Sequence, residues 1–105
     1  MTRHIHKRLK KIGETLRKDY NAKKVILYGS YAAGKETPDS DIDILVIAHT
    51  EDGFFDRMAM VRRLIRGLRN GLSVSPLILT PEEVNKRIEM GDHFIKGIIR
   101  NGIRL

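Results

Sequence analysis

Asp41 and Asp43 stand two residues apart in the run DSDIDILVI, and ten residues separate Asp41 from the pair Gly29-Ser30 in VILYGS. On a strand, residues at i and i+2 share a face, so the two carboxylates lie side by side while Ile42 points the other way. Like charges this close raise one another's proton affinity, an arrangement that makes sense when a divalent cation sits between them. A glycine that ends a buried strand, followed by serine at a helix start, lets backbone amides and a hydroxyl approach an anion. Each feature alone is common: Gly-Ser marks ordinary turns, and an isolated Asp-x-Asp is often a solvated strand end. Together they say more. The loop from Ser30 to Ser40 can return the chain antiparallel beside its first strand, which would bring Asp41 next to Gly29. Phosphate seat and metal carboxylates would then share one sheet edge, as phosphoryl or nucleotidyl transfer requires.

The elements that must position these residues are readable from hydrophobic periodicity. Ile5, Leu9, Ile12 and Leu16 recur at spacings of four, three and four, with lysines and arginines mostly off that stripe, which predicts an amphipathic helix over Thr2 to Tyr20. Val25 to Tyr28 is a short apolar, β-branched run that stops at Gly29, hence a buried strand. Residues 30 to 40 (SYAAGKETPDS) read as a short helical turn and a loop. Asp41 to Ile47 is too apolar beyond its first residues to face water and belongs centrally in a sheet. Phe54, Met58, Val61, Ile65 and Leu68 mark a second long helix, ended by Asn70-Gly71, which tolerate the left-handed cap. Leu72 to Leu79 is a third strand. Thr80-Pro81-Glu82-Glu83 signals a capped helix start, with Glu83 closing the capping box and the helix running through Ile88. Gly91-Asp92 breaks that helix and starts a last one, carrying Phe94, Ile95, Ile98 and Ile99, that ends at Asn101-Gly102. The order is α β α β α β α α, without repeat, linker or low-complexity segment.

A chain of 105 residues, 41% hydrophobic and 31% charged, is expected to fold as one domain over 1–105. Lys and Arg number 20 against 13 Asp and Glu, giving a net charge of +7, which fits partners that carry phosphates. Solvated helix faces account for the same excess. The few scattered aromatic residues supply no stacking platform, so a nucleic-acid partner is not favoured. Cysteine is absent, which excludes disulfides, thiolate metal sites and cysteine nucleophiles and leaves only oxygen or imidazole to hold a metal. The start, MTRHIHKRLKK, lacks the apolar run of a secretory signal, and no segment approaches transmembrane length, so the expectation is a cytoplasmic protein with no membrane partner.

An apolar strand, Gly29-Ser30, a ten-residue spacer and Asp41-Ile42-Asp43 resemble the signature of the DNA polymerase beta-like nucleotidyltransferase superfamily. Gly34, Ser40 before the first Asp, and the downstream TPEE helix start resemble its minimal nucleotidyltransferases, and the likeness covers most of the chain. The resemblance implies an α/β (α+β) fold, a small mixed, largely antiparallel sheet flanked by helices. It implies Mg²⁺ or Mn²⁺ on Asp41 and Asp43 as metal ligands and catalytic residues. Gly29, Ser30, Lys35 and Ser40 would hold the nucleotide, a nucleoside triphosphate such as ATP. It further implies transfer of AMP to a hydroxyl of a small helical partner of the HEPN type, whose toxicity the transferase restrains as antitoxin. Homo-oligomerisation stays open.

Two positions depart from that pattern. Active relatives carry a third carboxylate on the third strand, where LSVSPLILTPEE has Ser75, and no Asp or Glu lies between Gly71 and Pro81. Its loss affects activation of the attacking hydroxyl more than nucleotide binding; Glu82 or Glu83 could reach in, although the capping box already occupies Glu83. Ala33 stands where many relatives have arginine, leaving Lys35 to supply a point charge. His4, His6, His49 and His93 form no site and are expected at the surface. Arg62, Arg63, Arg66 and Arg69 are expected as solvated helix flanks rather than a groove for RNA. Two rivals to the enzyme follow: a nucleotide-binding antitoxin module that acts by contact alone, favoured by Ser75, and a basic RNA-binding domain.

Overall fold

The computed structural model describes all 105 residues. Helix α1 (Arg3–Asp19) leads into β1 (Lys24–Tyr28), the single turn α2 (Ser30–Ala33), β2 (Ile42–Ile47), α3 (Phe54–Arg69), β3 (Val74–Leu79), α4 (Pro81–Glu89), α5 (His93–Asn101) and β4 (Ile103–Arg104). Local signals set most boundaries. Thr2 Oγ1 accepts from the Ile5 amide at 3.1 Å and opens α1. Asn70, at φ +48°, ends α3 in the left-handed conformation that asparagine tolerates. Thr80 and Glu83 form the reciprocal capping box of α4.

The four strands lie in the order β3-β2-β1-β4. β1 runs antiparallel to both β2 and β4, whereas β2 and β3 are parallel, joined through α3. The mixed, mainly antiparallel sheet flanked by helices agrees with the sequence expectation. Alternation along β2 divides the molecule. Ile42, Ile44 and Val46 join one core with Leu9, Ile12 and Leu16 of α1 and Val61 and Ile65 of α3. Leu45 and Ile47 face the other way, into a smaller core with Val84 of α4 and Ile95 and Ile98 of α5. Asp43 shares this second parity, so its carboxylate belongs to the α4–α5 face.

The sequence reading missed β4. Ile103 and Arg104 are both exposed and only two residues long, too short to show alternation, yet they pair with Leu27 and Ile26. The strand is anchored by the Leu105 amide, which donates to the Val25 carbonyl at 2.8 Å, and by the buried Leu105 side chain. Gly102 turns α5 into it, where a Cβ would collide with Ile26 and the Ile98 carbonyl. Pairing of β2 and β3 begins at Ile42 and Val74, later than the expected Asp41 and Leu72. No helix is long and apolar enough to cross a membrane.

Candidate active site

The end of β1 and the start of β2 meet in the register Tyr28↔Asp43. One residue further, Gly29 takes φ +77° and ψ −154°, a conformation open essentially to glycine alone. A Cβ there would lie 2.5 Å from Asp43 Oδ2, so the absent side chain is what lets the carboxylate close on the backbone. The expectation put Asp41 next to Gly29; it is Asp43 that abuts it, because the antiparallel register sets Asp43 opposite Tyr28, one residue off the pairing assumed. Asp41, exposed and just ahead of β2, accepts a hydrogen bond from Ser73 Oγ at 2.6 Å. The Ile42 amide donates to the Ser73 carbonyl at 2.8 Å, tying the two segments together at that level.

Burial, and then the neighbouring charge of Asp41, raise the Asp43 carboxyl above its ordinary value. Burial and the Asp43 charge likewise raise the Tyr28 phenol. Neither aspartate is paired with a lysine or arginine. Two adjacent carboxylates without a compensating cation from the protein are a donor set suited to a divalent metal ion, although no third His, Asp or Glu joins them. Ser75 lies directly beside Asp43 in the parallel register of β2 and β3.

The other candidates are placed unevenly. Ser30 opens α2, and its carbonyl accepts from the Lys35 amide at 2.9 Å, closing the turn at Gly34. Lys35 is exposed and forms no ion pair. Ser40 Oγ accepts from the Thr37 amide at 2.9 Å, which closes the loop ahead of Asp41. Glu82 and Glu83 do not reach in, because they follow the opposite end of β3. There Glu83 is held by Arg57 Nη1 at 2.6 Å and by the Thr80 amide at 2.8 Å, and exposed Glu82 lies 3.5 Å from His49 Nδ1. All four histidines are exposed, as are Arg62, Arg63 and Arg66, while Arg69 is half-buried.

A model of the family described as "Polymerase beta, Nucleotidyltransferase" matches residues 10–104. The chain belongs to this nucleotidyltransferase family. A Methanocaldococcus jannaschii protein named "putative protein adenylyltransferase" is 33% identical over 90 residues, covering 83% of this chain and 85% of that protein. A second protein of the same name from that organism is 34% identical over 64 residues, 58% of this chain and 44% of its own length. The crystal structure of a "putative nucleotidyltransferase" from Sulfolobus solfataricus superposes with a TM-score of 0.59 at 35% identity, covering 76% of this chain and 70% of that one.

Within the nucleotidyltransferase fold, two parts of the site escaped sequence reasoning. Ser73 was one: LSVSP holds two serines at the same two-residue spacing as the aspartates, and pairing those spacings across neighbouring strands would have found it. The other is a cavity of about 450 Å³ between α2 and α5, bounded on one side by Gly29. No local pattern announces it, since it depends on how α5 packs across the end of β1.

Proposed function

We propose that this nucleotidyltransferase moves a nucleoside monophosphate, AMP from ATP, to a hydroxyl on a partner protein, with Mg²⁺ or Mn²⁺ held by Asp41 and Asp43. The observation that carries the reading is the closure of Asp43 on Gly29, with Asp41 two residues away just ahead of the same strand. The Gly29 and Ser30 backbone and the Ser30 hydroxyl would hold phosphate oxygens, with Lys35 and Ser40 at the rim of the same loop. Ser73 holds the Asp41 carboxylate in orientation. The bound cation supplies charge neutralisation for the phosphate oxygens. In the transfer, the acceptor oxygen bonds to the α-phosphorus as the bond to the α–β bridging oxygen breaks; pyrophosphate leaves and the hydroxyl proton passes to solvent.

The names of the two Methanocaldococcus relatives support AMP as the group and protein as the acceptor. The resemblance to the minimal nucleotidyltransferases supports a HEPN-type helical protein as that acceptor, through a tyrosyl hydroxyl, in the cytoplasm. Calorimetric titration of ATP with and without Mg²⁺ into the wild type and Asp41→Asn/Asp43→Asn tests the site. Metal-dependent binding, lost in a folded double mutant, is expected; binding that survives would sink it. Incubation with α-³²P-labelled ATP and the helical partner tests the transfer, with label on the partner expected. Ser75 favours a second reading, in which nucleotide binds but the partner is neutralised by contact alone; it predicts metal-dependent binding with no label transferred.

A further inference from the structure

The cavity between α2 and α5 has a builder that the fold does not require. Gly97 sits in the interior of α5, where glycine costs about 1 kcal/mol relative to alanine, and a Cβ there would meet nothing within 4 Å. No neighbour excludes a side chain, so the glycine's effect is to keep open the cavity it lines, together with Tyr28, Gly29, Phe94 and Asn101. Phe94 is 54% exposed although large and apolar, and it is steadied by edge-to-face contact with Tyr28, ring centroids 5.6 Å apart at 84°. An aromatic ring held in place but left uncovered is a stacking surface. Asn101, exposed at the end of α5, adds an amide whose donor and acceptor can pair with the edge of a base. The volume, about 450 Å³, lies within the range of roughly 300–1,000 Å³ usual for small-molecule sites. Gly29 belongs both to this cavity and to the Asp43 contact, so a single ligand can occupy both.

We infer that the α2–α5 cavity is the nucleobase subsite, in which the base of the nucleoside triphosphate stacks on Phe94 above Gly97 while its phosphates rest at Gly29. The inference rests on the proposed phosphate and metal site, and its test separates the two. Mg²⁺-ATP and Mg²⁺-tripolyphosphate, which has no base, are titrated into wild type, Gly97→Leu, Phe94→Ala and Asp43→Asn, with melting temperatures recorded. Wild type is expected to bind ATP at least about fivefold more tightly than tripolyphosphate, the low end of a base–aromatic stack. Gly97→Leu fills the cavity and Phe94→Ala removes the stacking surface; each is expected to abolish that preference while leaving tripolyphosphate affinity unchanged. Phe94→Ala changes an exposed residue and keeps the test decisive if leucine at position 97 disturbs α5. Unchanged ATP affinity in both variants would overturn the base subsite, and it is the result expected if the cavity instead receives an acceptor side chain. In that event, metal-dependent binding lost in Asp43→Asn would still uphold the phosphate and metal site. Absence of binding of either ligand to wild type would overturn both.

Discussion

Asp43 has one neighbour with no side chain, Gly29, and one without charge, Ser75. The closeness of the Asp41 and Asp43 carboxylates was legible because a two-residue spacing is local; the contact with Gly29 was not, since it depends on a register fixed by the whole β1–β2 pair. Two substitutions probe these neighbours. Gly29→Ala forces a side chain into φ +77° and onto Asp43 Oδ2, so a loss of about 1–3 kcal/mol is expected from the backbone conformation. Thermal unfolding reads that loss, and calorimetry should show weaker Mg²⁺-ATP binding as the carboxylate is displaced. Ser75→Asp sets a third carboxylate beside Asp43. Without metal, like charges on adjacent strands should lower stability by up to about 1 kcal/mol, and Mg²⁺ should restore it. Transfer of label to the acceptor should rise. A melting temperature indifferent to Mg²⁺ in this variant would mean that position 75 does not face the metal site.

The elements were legible wherever a signal lay within a few residues, and the capping box of α4 is the clearest case, since Thr80 and Glu83 are three apart. What Glu83 also does was hidden. Arg57, on α3 and 26 residues away, donates to both Glu83 oxygens, at 2.6 and 3.3 Å, and also to the Asp52 carbonyl at 2.8 Å. This buried arginine joins the start of α3 to the start of α4 across the end of β3, opposite the proposed site. Its hydrogen bond, then those from Thr80, hold the Glu83 carboxyl below the ordinary value of 4.5. A carboxyl lowered by folding contributes stability that is present above its unfolded value and lost as pH falls through the folded one. Glu83→Gln is therefore expected to lose roughly 1–2 kcal/mol at pH 7. That is less than the cost of breaking a fully buried pair, because the Glu83 side chain is 43% exposed. The difference from wild type should shrink below pH 4 in thermal melts, whereas Mg²⁺-ATP affinity at pH 7 should not move.

At the scale of the molecule, the sheet separates two functions that composition alone confuses. The net charge of +7 is compatible with a phosphate-binding surface and with solvated helices, and only the placement of the helices on the two faces decides between them. α1 and α3 pack on the face that receives Ile42 and Ile44, and Arg62, Arg63 and Arg66 are exposed on α3. Asp43 and the cavity belong to the face of α4 and α5, with β1 and β2 in between. The order β3-β2-β1-β4 was beyond sequence reading because it needs the two-residue β4 to close the β1 edge. Its consequence for the charges is testable. At about 0.15 M salt, charges exposed to solvent are screened over roughly 8 Å, and the arginines stand on α3, which packs on the sheet face away from Asp43. Arg62→Glu/Arg66→Glu is therefore expected to change Mg²⁺-ATP affinity by less than about twofold, within the usual effect of surface charge substitutions. The RNA-binding alternative expects something else: RNA affinity that falls steeply with salt, is abolished by this charge reversal and is indifferent to Asp43→Asn. Measuring ATP and a short single-stranded RNA against both variants places the basic charge in the site or outside it. A tenfold loss of ATP affinity on reversing the two arginines would show that the α3 face reaches the nucleotide.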